Sequence, residues 1–163
     1  MSSSEWDDFR AEQAAERANL NRLLAALKPL LTRCRNRQPD VIELNAMAAM
    51  LHSFYNGIEV IFKRVALDLD GRTLGHRDWH RDLIHAMTVP GPKRPVLLSP
   101  ELYDSLLEYL RFRHVFRNAY FFDLDWEKLS PLVMRLEKTL QDVETALDAF
   151  LKAGATPNTG HID

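Results

Sequence analysis

The chain has a single cysteine, Cys34, among its 163 residues. One thiol excludes an internal disulfide and a cysteine-rich zinc site, and it fits a reducing compartment, the cytoplasm. Cys34 stands in "LLTRCRNR" with no clear base near it in sequence, which reads as a partly buried, inert thiol rather than a reactive one. There is no Gly-rich phosphate loop, no Gly-x-Ser-x-Gly elbow and no Cys-x-x-Cys pair. No run reaches the ~18 apolar residues that a membrane span needs. "MSSSEWDDFR" has no apolar signal region. Strong charge is missing too: the net value is −2, so the whole molecule is no electrostatic glue for nucleic acid. An anion site has to come from local clustering or from subunit pairing.

Sustained period-two alternation is absent as well, and apolar residues recur instead at threes and fours. Residues 5–36 read as a helix on Trp6, Phe9, Leu20, Leu23, Leu24, Leu27, Leu30 and Leu31, with Pro29 expected to kink or interrupt it. Pro39 and Asp40 open a second helix to about Leu69. A short helix is expected from about Asp78 to Thr88, followed by the stiff loop "VPGPKRP". "SPE" at 99–101 supplies an N-cap serine, a first-position proline and a first-turn glutamate for a helix to about Tyr120. Asp125 or Ser130 caps the last helix. The expectation is an all-α, up-and-down bundle of four long helices and one short one, forming a single domain over 1–153, with a flexible tail at 154–163. Long stripes widened by Phe and Tyr suggest a dimer.

The stretch "RFRHVFRNAY", 111–120, concentrates charge beside core. On a helix, Arg113 and Arg117 share one face and His114 and Asn118 another. Guanidinium forks suit phosphate oxygens, and a neutral imidazole suits proton transfer near pH 7. Together they can cleave RNA without metal: a base takes the 2′-OH proton and arginine holds the charge growing on the phosphorus oxygens. The other reading is a solvated helix end, where arginines complement the helix dipole. In "FYNGIEVIFKR", 54–64, Asn56, Glu59 and Lys63 share a helix face, either as a surface Glu59–Lys63 pair or as the lining of a cleft against the Arg-rich helix. Gly57 in mid-helix costs ~1 kcal/mol against alanine and allows another helix to approach. His76 and His80 have a spacing that can bind metal, but they begin in a loop and follow no zinc pattern. Trp79 reads as the anchor of the short helix, and no metal or other cofactor is expected.

The ordered run "MLHSFYNGIEVIFKR", "GHRDWH" and "RPVLLSPELYDSLLEYLRFRHVFRNAYFFDLDW" resembles the HepT-like ribonuclease toxins of the HEPN class, over roughly residues 45–135. The resemblance implies an all-α bundle that dimerises. It also implies a motif of Arg, four residues, His, one residue, Tyr. Arg113 takes the arginine position and Tyr120 the tyrosine position, while Asn118 stands where the family has histidine. The resemblance further implies metal-independent RNA cleavage at the cleft of a homodimer, with tRNA or mRNA as substrate. The implied partner is a minimal nucleotidyltransferase antitoxin, which in some pairs adenylylates the motif tyrosine, here Tyr120. Asparagine has no titratable proton and cannot act as a general base. Three explanations stand: an inactivating substitution, a naturally weak or inactive member, or His114 acting instead. The alternative from another class is a non-catalytic RNA- or partner-binding module on the same scaffold.

Overall fold

The computed structural model describes residues 3–154. It is an all-α bundle of five helices: α1 Ser3–Arg33, α2 Val41–Arg64, α3 Trp79–Ala86, α4 Pro100–Phe116 and α5 Trp126–Gly154. α2 runs on into a π-helical turn, Val65–Leu69. No strand occurs among the described residues, only one isolated bridge between Gly91 and Arg94. No described helix is long and apolar enough to cross a membrane. Of the tail expected at 154–163, Gly154 ends α5 and the rest lies outside the described residues.

Local chemistry sets the helix ends. The Asp40 carboxylate accepts from the Ile42 and Glu43 amides, at 2.9 and 2.8 Å, and Glu43 accepts from the Asp40 amide at 3.0 Å. This reciprocal cap satisfies donors that the first turn otherwise leaves open. Ser99 Oγ accepts from the Leu102 amide at 3.2 Å, ahead of Pro100. Asp125, not Ser130, caps α5: its carboxylate accepts from the Glu127 amide at 2.9 Å.

Two expected boundaries differ. α1 is not interrupted at Pro29 and continues to Arg33. A proline so near the end of a helix removes one backbone bond from an exposed face, and the buried Leu27 and Leu30 on either side hold the turn. α4 ends at Phe116 rather than near Tyr120. Asn118 donates its side-chain amide to the His114 carbonyl at 2.9 Å, taking the acceptor that a further helical turn would use.

The core is built around α2, which packs against α1, α3, α4 and α5. Met47, Leu51, Tyr55 and Ile58 are wholly buried along it. α1 packs against α2 at Gly57, where a Cβ would lie 2.7 Å from Leu20 Cδ2. α1 and α5 run antiparallel: Arg17 meets Asp148, Asn21 meets Glu144 and Lys28 meets Glu137. Tyr109 ties α4 to α5 by donating its hydroxyl to the Leu132 carbonyl at 2.8 Å. Cys34 is buried, and burial followed by the nearby Glu43 pushes its thiol up, which disfavours the reactive thiolate.

The loop after α3 is fastened by a buried ion pair. Arg94 Nε and Nη2 each lie 2.7 Å from an oxygen of Asp70, with both side chains almost wholly buried. The same guanidinium donates to the carbonyls of Ala86, Val89 and Pro95. Asp70→Ala strands that arginine in the core, so the unfolding free energy should fall by about 3–5 kcal/mol. Urea denaturation checks this, and a loss under 1 kcal/mol would mean that the pair is solvated.

Candidate functional site

The seam between α2 and α4 gathers polar side chains inside an otherwise apolar bundle. Glu59 lies on α2 between Ile58 and Ile61, all three buried. Its side chain is 4% exposed. A carboxylate so placed needs compensation by charge and hydrogen bonding. His80, from the first turn of α3, contacts one oxygen through Nδ1. Arg113 Nε, from α4, lies 3.6 Å from the other. Arg113 also donates from Nε to Asn56 Oδ1 at 3.1 Å. Thus α2 presents Asn56 and Glu59 one turn apart, α4 presents Arg113 to both, and α3 closes the group with His80.

Lys63 does not pair with Glu59. Its ammonium sits over the Trp79 ring, 4.4 Å from the centroid, a cation–π contact. Trp79 in turn packs on His80, with ring centroids 3.6 Å apart. The surface Glu59–Lys63 pair offered by the spacing is therefore replaced by two separate links from α2 to α3. His76 pairs with Asp82 at 3.2 Å, so His76 and His80 serve different partners. No group of three or more His, Cys, Asp or Glu that could hold a metal occurs among the described residues.

Three polar atoms are buried on or beside this seam with no hydrogen-bond partner among the described residues: Arg113 Nη1, Tyr55 Oη and His52 Nδ1. Each such atom costs about 1–3 kcal/mol when left unmet. Burial first, then the negative Glu59, drives the Tyr55 hydroxyl far up, so it stays a proton donor. His52 packs against Phe116 with ring centroids 5.3 Å apart. Burial, then Arg113 and Arg117, lower its pKa.

His114, one residue past Arg113, faces His80 with ring centroids 6.4 Å apart. Burial lowers its pKa most, followed by Arg113, His80, Arg117 and Arg81. His114 is exposed by surface area, and the shift favours its neutral imidazole, in a field that is positive on several sides. Arg117 is exposed and caps the end of α4. Asn118 and Tyr120 lie on the turn beyond it, where the Tyr120 amide donates to the Asp123 carboxylate at 2.9 Å. The Tyr120 side chain is 71% exposed and stacks on Phe122 with ring planes 3° apart. No hydrogen bond or ring contact joins Asn118 or Tyr120 to Arg113 among the described residues.

The structure thus brings together Asn56, Glu59 and Arg113, sets Lys63 beside them through Trp79 and exposed His114 beside them through His80, and leaves Arg117, Asn118 and Tyr120 on an exposed rim. Sequence reasoning missed His80 as the partner of Glu59. The apolar neighbours Ile58 and Ile61 hint that Glu59 lies near the core, but nothing local in the sequence points to His80 as its partner. Both His52 and His114 should titrate below the ordinary histidine range. Arg117→Gln, at an exposed position, should raise both values, because it removes a positive charge felt by each ring. Proton NMR titration of the imidazole signals reads this directly, and an unchanged pair would mean that solvent screens Arg117.

A family model described as HepT-like protein matches residues 46–154, from the second turn of α2 through the end of α5. No curated protein and no solved structure matches the chain. The matched span covers most of the chain and contains every polar group of the α2–α3–α4 seam. The chain belongs to the family of HepT-like proteins.

Proposed function

We propose that this protein is the toxin of a toxin–antitoxin pair, a metal-independent endoribonuclease that works at the cleft of a homodimer and is impaired by Asn118. Family membership supports the class, and one observation carries the chemistry. Arg113 is fixed by Asn56 and Glu59, its Nη1 is buried, and 11% of the side chain stays open to a ligand. A guanidinium so oriented has little entropy left to lose on meeting a phosphate, and it can hold the charge that grows on the phosphorus oxygens.

In the reaction, a base removes the 2′-OH proton of the RNA and the oxygen attacks the adjacent phosphorus. The bond to the 5′-oxygen breaks, and that oxygen receives a proton. The products are a cyclic phosphate and a free 5′-hydroxyl. Residue 118 is the position for proton transfer, and an asparagine cannot perform it. In this chain Asn118 is instead engaged with the His114 carbonyl. That contact also favours a second reading: a non-catalytic module that binds RNA or a partner through Arg113 and the basic groups near it. On either reading Asn56, Glu59 and Lys63 line or support the cleft, and His114 is the remaining titratable group on α4 beside Arg113.

Asn118→His should produce RNA cleavage that persists in EDTA, with growth arrest on expression, while the present chain does little. If the histidine variant is folded and dimeric but inert, the toxin reading fails and the binding-module reading takes its place. The pair's other member is proposed to be a minimal nucleotidyltransferase that adenylylates Tyr120, whose hydroxyphenyl group is open to solvent. With ATP and such an enzyme, intact mass should rise by one AMP and peptide mapping should find it on Tyr120. A label elsewhere, or Tyr120→Phe labelled equally, argues against this assignment.

A further inference from the structure

A second basic site lies beside the seam, on its solvent side. A cavity of about 240 Å³ opens between the start of α3 and the outer face of α4. Arg77, His80 and Arg81 form one wall, and Arg111 and His114 the other. Leu107 and Leu110 form an apolar floor. Asp78 is the cavity's lone carboxylate. Among the described residues, no carboxylate pairs with Arg77, Arg81 or Arg111, whereas seven of the other twelve arginines are paired. Three guanidiniums against one carboxylate leave the pocket positive, in a chain whose net charge is −2. All three arginines are exposed, so solvent screens the repulsion between them, and an anion seated in the pocket meets all three at once.

The cavity's size and lining narrow the choice of anion. It is smaller than the ~300–1,000 Å³ usual for whole small-molecule ligands. It suits a tetrahedral oxyanion with its attached sugar, held by guanidinium forks from two helices. His114 belongs to both this pocket and the Arg113 neighbourhood, and His80 belongs to both this pocket and the Glu59 contact. We infer that the α3–α4 pocket is a phosphoryl-binding subsite that takes a backbone phosphate of RNA next to the one held by Arg113. The RNA source rests on the ribonuclease reading above; the phosphoryl chemistry does not. The downward push on His114 from Arg81, Arg113 and Arg117 agrees with an anion-seeking field.

The test uses the full chain in two measurements. In the first, the His114 ring signals are followed by NMR while inorganic phosphate replaces chloride at constant ionic strength. The His114 pKa should rise in a saturable way, and Arg81→Gln or Arg111→Gln should abolish that rise. In the second, binding of a short single-stranded RNA is measured against salt. Each of the two variants should bind about five- to tenfold more weakly. Each should also lower the slope of log affinity on log salt by about 0.7. Arg22→Gln, exposed on α1, should change neither quantity. Unmoved His114 signals together with RNA affinities within twofold of the parent would overturn the subsite, whatever Asn118→His does. A phosphate-dependent shift with unchanged RNA binding keeps the phosphoryl site but assigns it to a free phosphate compound, overturning its link to RNA. Weakened RNA binding in both variants alongside an inert, folded Asn118→His protein upholds the subsite and sinks the nuclease reading alone.

Discussion

A carboxylate in the middle of a helix bundle has to be answered by charge and hydrogen bonds, and Glu59 imposes that demand on everything around it. Removed from water, it would be neutralised or would destabilise the fold unless cations reached it. Arg113 reaches it as a cation and His80 as a hydrogen-bonding partner, from two different helices. The consequence is geometric. Arg113 is held from below by Glu59 and Asn56, so its guanidinium has a fixed direction before any ligand arrives. His80 is held likewise, and it brings Trp79 under the Lys63 ammonium. One buried carboxylate therefore sets the relative placement of α2, α3 and α4 where the candidate site residues meet.

The same logic explains why α3 is ordered at all. At eight residues it is far too short to be stable in isolation. Its first turn is tied to α2 through the Glu59–His80 contact and through Lys63 over Trp79. Its end is tied by Arg94, which donates to the carbonyl of Ala86, the last residue of α3, while pairing with Asp70 beyond the π-helical turn. Between these ties Leu83 and Ile84 are buried. The short helix is thus clamped by two buried ionic groups, one on the functional seam and one remote from it. This division matters for interpreting variants: losses at Asp70 or Arg94 act on the fold, whereas losses at Glu59 act on the fold and on Arg113 together.

Much of this arrangement was legible in the sequence. The apolar stripes and the Asp40, Ser99 and Asp125 signals are local, and local chemistry decides them. They carried the helix count, the bundle class and most of the boundaries. What was not legible depended on distant partners. Pro29 does not end α1, because neighbouring buried leucines outweigh one lost backbone bond. α4 stops four residues early because Asn118 turns its side chain back onto His114, a competition that helix periodicity does not register. The Glu59–Lys63 spacing is equally compatible with a solvated pair or a buried acid, and only the packing of α3 and α4 decides between them. For the candidate site, the residues on α2 and α4 could be nominated from sequence. Joining them through His80 required the fold.

The two halves of the proposed chemistry are built into different parts of the molecule. The anion-holding half, Arg113 with Asn56 and Glu59, is anchored in the core and shares that anchorage with the packing of three helices. The proton-transferring half, residue 118, sits on an exposed turn after α4, where its side chain completes a helix end and bears little of the core. A change at 118 can therefore remove acid–base function while leaving the guanidinium, its supports and the α3–α4 pocket in place. A change at Glu59 cannot be so confined, because Arg113 would keep its charge and lose the carboxylate that answers it. On the proposed reading, Asn118 is the position at which such a protein is disarmed with least damage to its structure. A disarmed member should then keep its affinity for phosphate-bearing ligands, since Arg113 rests on buried supports that Asn118 does not touch, and Asn118 meets the α3–α4 pocket only through the backbone carbonyl of His114.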